Sequence, residues 1–303
     1  MLRVGESVAD FVIDAVVGHG SSADVYRVHR RDVATPLALK VLHTDERDSG
    51  RARERFEREF DIASLLDHPH IVAMVEAGEV LIESSPPHTQ LWLAMHYVDG
   101  PSAMSLIPRT DRQPRVPAVL RVAEQIGEAL DYAHSQDILH RDVKPANILL
   151  TSTSEDPDAI LTDFGIARLL DDTRPLARNG RVQGSIAYAA PELLTAQHLS
   201  AASDVYSFAC SLMELLTGLP PFPRATSFAI TYAHIRDDPP KLTRRRPWLP
   251  SSLDSVFAKA LAKEPADRYQ TCTEFVDIIT RALHDVPVPT DAPRRARWPR
   301  SRT

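Results

Sequence analysis

Cysteine is nearly absent from this sequence, in which Cys210 and Cys272 are the only two among 303 residues. Two cysteines exclude a disulfide-rich framework and argue against a cysteine-based zinc site. Both lie in segments whose apolar residues repeat with helical spacing. We therefore expect small buried thiols in a reducing compartment.

Long apolar runs are also missing, because no stretch of about 18 apolar residues occurs in the chain. The stretch MLRVGESVADF at the start lacks the apolar core of a signal peptide. The chain as given is therefore predicted to be soluble. A formal net charge of −6 argues against a dedicated nucleic-acid-binding protein, although the final stretch PRRARWPRSRT is strongly basic.

Strand patterns dominate the first third of the chain. Three β-branched or alternating segments are separated by a glycine turn and by DVATP, which predicts an antiparallel meander over FVIDAVVGHG, ADVYRVHR and PLALKVLH. Phe56, Phe60 and Ala63 repeat at helical spacing and predict one helix after these strands. Two more strands are predicted over IVAMVEAGEVLI and LWLAMHYV. We assign residues 1–98 to a small lobe.

Helical periodicity dominates the rest of the chain. Helices are predicted over VPAVLRVAEQIGEALDYAHS, SDVYSFACSLMELLTG, SSLDSVFAKALAK and CTEFVDIITRALH. We assign residues 99–285 to a larger, mainly helical lobe. Residues 286–303 are rich in proline and arginine without periodicity and are predicted to be a tail.

Gly18 and Gly20 lie between the first two predicted strands, where a turn without side chains lets backbone N–H groups approach phosphates. A hairpin with a glycine bulge is the alternative. Lys40 alternates with Ala38 along a strand, so both side chains point to one face. A lysine in such a place is otherwise typical of a strand edge or of a surface position.

Glu59 favours a functional interpretation of Lys40. Its neighbours on the predicted helix include Phe56, Ile62 and Ala63, which place this carboxylate on or beside the buried face. Because a buried charge needs a partner, Lys40 is predicted to pair with Glu59.

The segment LHRDVKPANILL holds Asp142, Lys144 and Asn147 in one turn between apolar strand ends. Asp163 in AILTDFGIARLL follows a strand and precedes a glycine, a position that either aims the carboxylate into a cleft or forms an Asx-turn. The sequence thus predicts a polar site between the two lobes.

Three charged residues further along the chain, Glu192, Asp204 and Arg268, are further candidates. Glu192 and Arg268 lie in largely apolar surroundings and are predicted to form a buried pair. Asp204 stands at the head of a predicted helix, where an N-cap is the simple alternative to a role in the site.

In order and spacing, the sequence resembles the eukaryotic-like (Hanks-type) protein kinases through GHGSSADV, LALK, Glu59, HRDVKPAN, DFG, APE, Asp204 and Arg268. It looks most similar to the bacterial receptor-type serine/threonine kinases. The resemblance covers roughly residues 8–284. It implies an α+β, bilobal protein kinase fold, with a small antiparallel-sheet lobe carrying one main helix and a larger helical lobe. It also implies serine/threonine phosphorylation in bacterial signal transduction.

The resemblance implies a role for each candidate residue. Asp142 would accept or orient the substrate hydroxyl proton, Lys144 would steady the phosphoryl group, and Lys40, positioned by Glu59, would hold the phosphates of ATP. The implied ligands of Mg²⁺, or of Mn²⁺ in its place, are Asn147 and Asp163. The implied nucleotide-binding residues are Gly18, His19, Gly20, Ser21, Val25, Ala38, Lys40, Met95, His96, Val98 and Leu149.

Two other functions stay open at this point. A pseudokinase would be favoured by the loss of Lys40, Asp142 or Asp163, but all three are present. A small-molecule phosphotransferase of related fold is disfavoured by the APE motif together with Arg268, which in the family brace a peptide-docking segment. We therefore expect protein substrates with serine or threonine and no nucleic-acid partner.

The basic tail predicts that the natural protein continues past Thr303 into a transmembrane helix, with a cytoplasmic kinase domain and arginines flanking a single span. A solvated tail is the alternative.

In the family, an arginine at the position of Arg141 typically receives a phosphate on the activation segment. Because Thr173 is the only hydroxyl residue between Asp163 and Ser185, we predict ordering by a kinase-domain homodimer or another partner, the alternative being phosphorylation of Thr173.

Overall fold

The computed structural model describes residues 2–20, 23–43, 49–82, 88–153, 156–164 and 184–290. Six antiparallel strands form the main sheet, in the order β1-β2-β3-β4-β6-β5. The strands are β1 (Ser7–Val8), β2 (Phe11–His19), β3 (Ala23–Arg30), β4 (Val33–Leu42), β5 (Met74–Ile82) and β6 (His88–His96). Helix α1 (Ser49–Ser64) connects β4 to β5. The predicted meander is confirmed.

Strand β4 begins at Val33, so the turn predicted over DVATP was wrong. Only Arg31 and Asp32 form the turn between β3 and β4. Pro36 lies where the register between β3 and β4 shifts, and pairing of β4 with β6 begins only at Leu37. The missing N–H of proline therefore falls outside the regular ladder, where a strand tolerates it.

The two faces of the main sheet carry separate apolar clusters. The outer cluster includes Phe11, Tyr26, Leu39 and Trp92, while the inner cluster packs strand residues against Phe56 of α1. Residues two apart on a strand share a face, so Lys40 points away from the face that buries Leu39 and Val41. Lys40 thus faces the second lobe.

The second lobe is built from helices around one large apolar core. Its helices are α2 (Val116–Ser135), α3 (Pro191–Leu194), α4 (Ala201–Thr217), α5 (Ser227–Arg236), α6 (Leu242–Arg245), α7 (Ser252–Ala260) and α8 (Cys272–Leu283). Periodicity predicted α2, α4, α7 and α8, whereas α5 and α6 were missed. Cys210 and Cys272 are free and fully buried, as expected. Across the described ranges of the chain, no helix combines the length and the hydropathy that a membrane span requires.

A small two-stranded sheet connects the lobes. Strands β7 (Ile148–Leu150) and β8 (Ala159–Leu161) pair antiparallel. Ile71, before β5, forms a bridge with Leu161, and Ser102, after β6, forms a bridge with Leu149. The Val72 amide donates to the Leu161 carbonyl at 2.9 Å, and the Leu150 amide donates to the Pro101 carbonyl at 2.8 Å. The first bond fixes β8 to the strand-rich lobe, and the second fixes β7 to the segment by which the chain enters the helical lobe.

Candidate active site

Asp142 is the centre of a compact polar group directly before β7. Lys144 Nζ lies 2.6 Å from Asp142 Oδ2, and Asn147 Nδ2 donates to the same oxygen at 3.1 Å and to the Asp142 carbonyl at 2.9 Å. Residues 145–147 form a 3-10 turn that begins at Pro145, whose fixed φ suits that position. The three side chains singled out from the sequence are therefore brought together.

Asp204 of α4 fixes the backbone that precedes Asp142. The carboxylate of Asp204 is fully buried and accepts the backbone N–H groups of His140 at 2.8 Å and Arg141 at 2.7 Å. His134 Nε2 also lies 2.8 Å from it. Burial opposes ionisation, but these donors, with His134 first, hold the pKa of Asp204 below its usual value. Asp204 is thus an anchor of the loop, and the N-cap of α4 is Ser200.

Two residues of the site have left-handed backbone geometry. Arg141 and Asp163 both have φ near +66°, although neither is a glycine. Such conformations cost on the order of 1–3 kcal/mol each and persist where surrounding bonds fix them. The bond from the Arg141 amide to Asp204 is one such constraint. The side chain of His140 adds another, because its Nε2 contacts the Thr162 carbonyl at 2.9 Å beside Asp163.

Lys40 and Asp163 form an ion pair between the lobes. Nζ of Lys40 lies 2.7 Å from Oδ1 of Asp163, and the lysine side chain is only 6% exposed. Burial raises the pKa of the Asp163 carboxyl, but the ammonium of Lys40, with Lys144 and His140 nearby, more than offsets this, so the pKa lies below its usual value. The Lys40 ammonium and the Asp163 carboxylate therefore contact each other in the cleft, although the two residues are 123 positions apart in sequence.

The predicted pair of Lys40 with Glu59 stays a prediction, because the side chain of Glu59 lies outside the described residues. Residue 59 is in α1, whose Phe56 and Ala63 are buried as expected. Ile62 is 38% exposed, which corrects its assignment to the buried face. The buried stripe of this helix is therefore narrower than periodicity alone indicated.

The glycine-containing turn joins β2 to β3. Gly18 pairs with Val25 and His19 with Asp24 across the two strands, and the Gly20 amide donates to the Ala23 carbonyl at 2.9 Å. Ser21 lies outside the described residues. The side chain of His19 contacts Asp24, on the face of the hairpin opposite Val25.

The residues expected around adenine border the cleft between the lobes. Val25 pairs with Lys40 across β3 and β4, and Ala38 lies two residues before Lys40, so these side chains share the face that meets Asp163. Met95 is buried and contacts Thr162 Oγ1 at 3.8 Å through its sulfur. Leu149 is half-buried in β7.

His96 and Val98 lie where the chain leaves β6 for the second lobe. The His96 amide donates to the Ala73 carbonyl at 3.0 Å, and the Val98 carbonyl accepts the Gly100 amide at 3.2 Å. The N–H of His96 is therefore engaged inside the protein, and its carbonyl is the candidate partner for a base. A Cβ on Gly100 would lie 1.9 Å from the Leu150 carbonyl, so only glycine fits this crossing.

Arg268 and Glu192 form the buried pair predicted from the sequence. Two parallel bonds of 2.7 and 2.8 Å join the guanidinium to the carboxylate, and both side chains are essentially inaccessible. Arg268 also donates to three backbone carbonyls, Ala202, Ala262 and Lys263, and lies over the ring of Tyr206. The pair fixes α3 and the segment before it to the base of the helical lobe.

We expect Glu192→Gln to lower the free energy of unfolding by about 3–5 kcal/mol, because a buried guanidinium loses its counter-charge. Urea denaturation monitored by tryptophan fluorescence measures the change. Arg224→Ala, which breaks the exposed pair of Arg224 with Asp237, is the control and should cost no more than about 1 kcal/mol. Equal costs for the two variants would contradict the assignment.

His234 ties the 3-10 turn Gly184–Tyr188 to α5. Its Nδ1 lies 2.9 Å from the Tyr206 hydroxyl and its Nε2 lies 3.1 Å from the Ala187 carbonyl. Burial, with a smaller contribution from the ammonium of Lys263, lowers the pKa of His234 from 6.5 to about 4. The neutral ring therefore fits this site and the imidazolium does not.

This depressed pKa predicts a pH dependence of stability. The unfolded chain binds a proton at this residue below pH 6.5 and the folded protein only below about pH 4, so stability is complete above 6.5 and falls between these values. We expect His234→Gln to remove roughly 2 kcal/mol of the stability loss between about pH 7 and pH 5. Urea denaturation at both values measures it, with the exposed His198→Gln as control. An unchanged pH dependence in His234→Gln would contradict the expectation.

The protein kinase domain family matches residues 11–279. The chain belongs to the protein kinase family. The serine/threonine-protein kinase PknF of Mycobacterium tuberculosis (strain ATCC 25177 / H37Ra) is 41% identical over 294 residues, which are 96% of this chain and 60% of PknF. The serine/threonine-protein kinase PknB of Mycobacterium leprae is 36% identical over 259 residues, 86% of this chain and 40% of PknB.

Solved kinase structures share the fold. The crystal structure of the M. tuberculosis PknI kinase domain superposes with a TM-score of 0.73 at 32% identity, covering 94% of this chain and 100% of that domain. The predicted bilobal kinase fold and the predicted family are therefore confirmed. This kinase chain spans 60% of the length of PknF.

Of the residues that sequence reasoning underrated, Asp204 and His134 matter most. Asp204 was open to interpretation as an N-cap, and His134 stood unmarked at the end of α2. No local signal distinguishes either residue from an ordinary helix-terminal polar residue. Only the packing of α2 and α4 under the loop makes the two meet at 2.8 Å.

Proposed function

We propose that this kinase domain transfers the γ-phosphoryl group of ATP to serine or threonine hydroxyls of proteins. The observation that carries the proposal is the convergence of Lys144 Nζ and Asn147 Nδ2 on one oxygen of Asp142. This arrangement holds a carboxylate, a cation and an amide at one point of the cleft. Phosphoryl transfer needs such positioning and charge stabilisation more than covalent chemistry from the protein.

Asp142 accepts or orients the proton of the substrate hydroxyl in this proposal. Its backbone is fixed through His140, Arg141 and Asp204, so the carboxylate does not have to be ordered when substrate binds. Lys144 places its charge beside the same carboxylate, where it can stabilise the transferring group. The resemblance of HRDVKPAN to the family's catalytic loop assigns these roles and favours serine or threonine.

Asn147 and Asp163 fit a divalent cation. Nδ2 of Asn147 donates to Asp142, which leaves Oδ1 as its ligand atom, and Oδ1 of Asp163 contacts Lys40, which leaves Oδ2. Amide and carboxylate oxygens suit Mg²⁺, and also Mn²⁺. When bound, the cation would neutralise the negative charge that develops on the phosphates.

Lys40 would bind the α- and β-phosphates, with Glu59 setting its position, and the backbone of Gly18, His19, Gly20 and Ser21 would cover the phosphates. Adenine would lie between Val25 and Ala38 on one side and Leu149 on the other, behind Met95. The His96 carbonyl and the backbone of Val98 would hold the base. Engagement of the His96 amide with Ala73 supports this choice of the carbonyl.

Incubation with labelled ATP and Mg²⁺ tests the proposal, using a generic basic protein and, separately, small alcohols as acceptors. We expect label on serine and threonine of the protein, mapped by mass spectrometry, and none on the alcohols. Labelling of alcohols alone would favour a small-molecule phosphotransferase. ATP binding without transfer to any acceptor would favour a pseudokinase.

We propose that pairing of two kinase domains, or another protein partner, orders the activation segment. The support is the composition of that segment, in which Thr173 is the only interior hydroxyl and several arginines add positive charge. Residues 165–183 lie outside the described part of the chain. Thr173→Ala should keep activity within a few-fold, and a collapse in activity would instead assign the switch to phosphorylation of Thr173.

We also propose a membrane tether beyond residue 303, with the kinase domain on the cytoplasmic side. The support is the arginine excess between residues 294 and 302, which is the pattern that flanks a span on its cytoplasmic side. Cell fractionation of the full natural product tests this. Recovery of that product in the soluble fraction would overturn it.

A further inference from the structure

Three metal-ligating side chains meet at the tip of the β2–β3 hairpin. Nδ1 of His19 contacts Oδ1 of Asp24, and Nε2 of His43 lies 3.2 Å from the same oxygen. One nitrogen or oxygen from each of the three residues lies within 4.8 Å of the others. The cluster therefore brings two imidazoles and one carboxylate to a single point.

The strand register explains why these side chains converge. His19 and Asp24 are direct partners in β2 and β3, and Asp24 is the direct partner of Val41 in β4. Direct partners share a face of the sheet, and His43 follows Val41 by two residues, so all three side chains lie on one face. The catalytic Lys40 lies on the opposite face, so the cluster is separate from the cleft.

We propose that His19, Asp24 and His43 bind a first-row transition-metal ion, with Zn²⁺ as the best match. Zn²⁺ takes imidazole nitrogen at about 2.0–2.1 Å and carboxylate oxygen at about 2.0–2.2 Å, usually with four ligands. The cation replaces the direct contact between His19 and Asp24, and small rotations of the two imidazoles bring their nitrogens into range. Water completes the fourth position.

Further contacts orient the central ligand. Asp24 is 6% exposed, and its second oxygen accepts the Tyr26 hydroxyl at 3.2 Å. That hydroxyl in turn accepts the Leu2 amide at 3.0 Å. Outer hydrogen bonds of this kind fix the orientation of a ligating carboxylate.

The ligand atoms of this cluster differ from those of the proposed magnesium site. Mg²⁺ prefers oxygen ligands, so millimolar Mg²⁺ in a kinase assay competes poorly for two imidazoles. A second cluster in the described part of the chain consists of Asp131, His134 and Cys272. Two of these side chains already make hydrogen bonds that stabilise the fold. Asp131 accepts the first amides of α8, and His134 contacts Asp204.

The metal would also regulate the kinase, an inference that rests on the proposed function. His19 stands between Gly18 and Gly20, in the turn whose backbone is proposed to cover the phosphates. A cation that joins His19 to β3 and to His43 pins this turn from its outer face. Because this restraint limits movement of the turn when nucleotide enters and leaves, we expect occupied metal to slow turnover several-fold.

Binding is measured first and without ATP, so its result does not depend on catalysis. Co²⁺ is titrated into the whole chain as a spectroscopic substitute, followed by displacement with Zn²⁺. We expect one equivalent of Co²⁺ with the visible absorption of tetrahedral coordination, lost on adding Zn²⁺. His43→Gln removes one ligand and should weaken Zn²⁺ binding at least about tenfold, in line with loss of metal-site contacts.

His29→Gln is the matched control. His29 also contacts a carboxylate in the same sheet, Asp14 at 2.8 Å, but it lies outside the three-residue cluster. It should leave Zn²⁺ affinity unchanged. Absence of saturable binding in the parent chain, or equal affinity in the parent and His43→Gln, would overturn the site and would indicate a hydrogen-bonded His–Asp–His cluster.

Activity is measured second, with Zn²⁺ at a concentration that saturates the parent. We expect slower transfer in the parent and in His29→Gln, and unchanged transfer in His43→Gln. Equal inhibition of all three proteins, or none, would overturn the regulatory role while the binding result still decides the site. Inactivity of the parent without Zn²⁺ would count against the proposed function alone.

Discussion

Asp142→Asn is expected to lower phosphoryl transfer on the order of 10²–10⁴-fold, the usual contribution of a general base. Asparagine keeps the shape of the side chain, and the bond from Asn147 to the backbone carbonyl of residue 142 survives. What is lost is the negative charge that is proposed to accept or orient the hydroxyl proton. Single-turnover transfer from labelled ATP measures the rate, and urea denaturation confirms that the fold is intact.

Asp137→Asn is the control for this change. Asp137 is exposed, lies five residues before Asp142 and has positive φ, which asparagine tolerates. Its transfer rate should equal that of the parent chain. If Asp142→Asn also transferred phosphate at the parent rate, the assignment of the base would be wrong.

Lys40→Met is expected to lower kcat/KM for ATP on the order of 10²–10³-fold, as loss of one charged contact to a reacting group does. Methionine fills the buried volume of the lysine stem but carries no charge. Asp163 then loses its partner at 2.7 Å, so its pKa should rise toward the value that burial favours. The ligand proposed for the cation is weakened together with the phosphate contact.

Steady-state kinetics with varied ATP separate the effects of Lys40→Met on kcat and KM. Lys241→Met, at an exposed position before α6, removes the same charge far from the cleft and should change neither. A Lys40→Met variant with the kcat/KM of the parent would rule out the proposed role of Lys40.

The secondary structure was largely predictable, and its errors have physical causes. Alternating patterns identified β2 and β3, and helical spacing identified α2, α4, α7 and α8. The start of β4 was missed because a proline normally signals a break, whereas Pro36 falls at an irregular part of the pairing. Helix α5 was missed although its N-cap, Thr226, accepts the Ala229 amide.

The candidate site was predictable where its residues are close in sequence. Asp142, Lys144 and Asn147 share one short turn, and their convergence follows from local geometry around Pro145. Lys40 is different, because the structure places Asp163 against it, a partner that sequence reasoning did not name, while its predicted pair with Glu59 stays a prediction. Asp163 lies 123 positions from Lys40 in the sequence, so the two form an ion pair only because the fold brings them together. Hydrophobic periodicity does not indicate which distant residues become neighbours.

The sequence by itself determined most of the strands and helices, the family motifs and the residue types of the turn around Asp142, because these depend on local periodicity and on short spacings. The tertiary structure alone decided which distant charges meet. It placed Asp204 under the loop, Asp163 on Lys40 and His43 beside Asp24, whereas the pair of Glu192 with Arg268 was already predicted from their apolar surroundings. Buried charges need partners, but packing of separate elements determines which partner lies within reach.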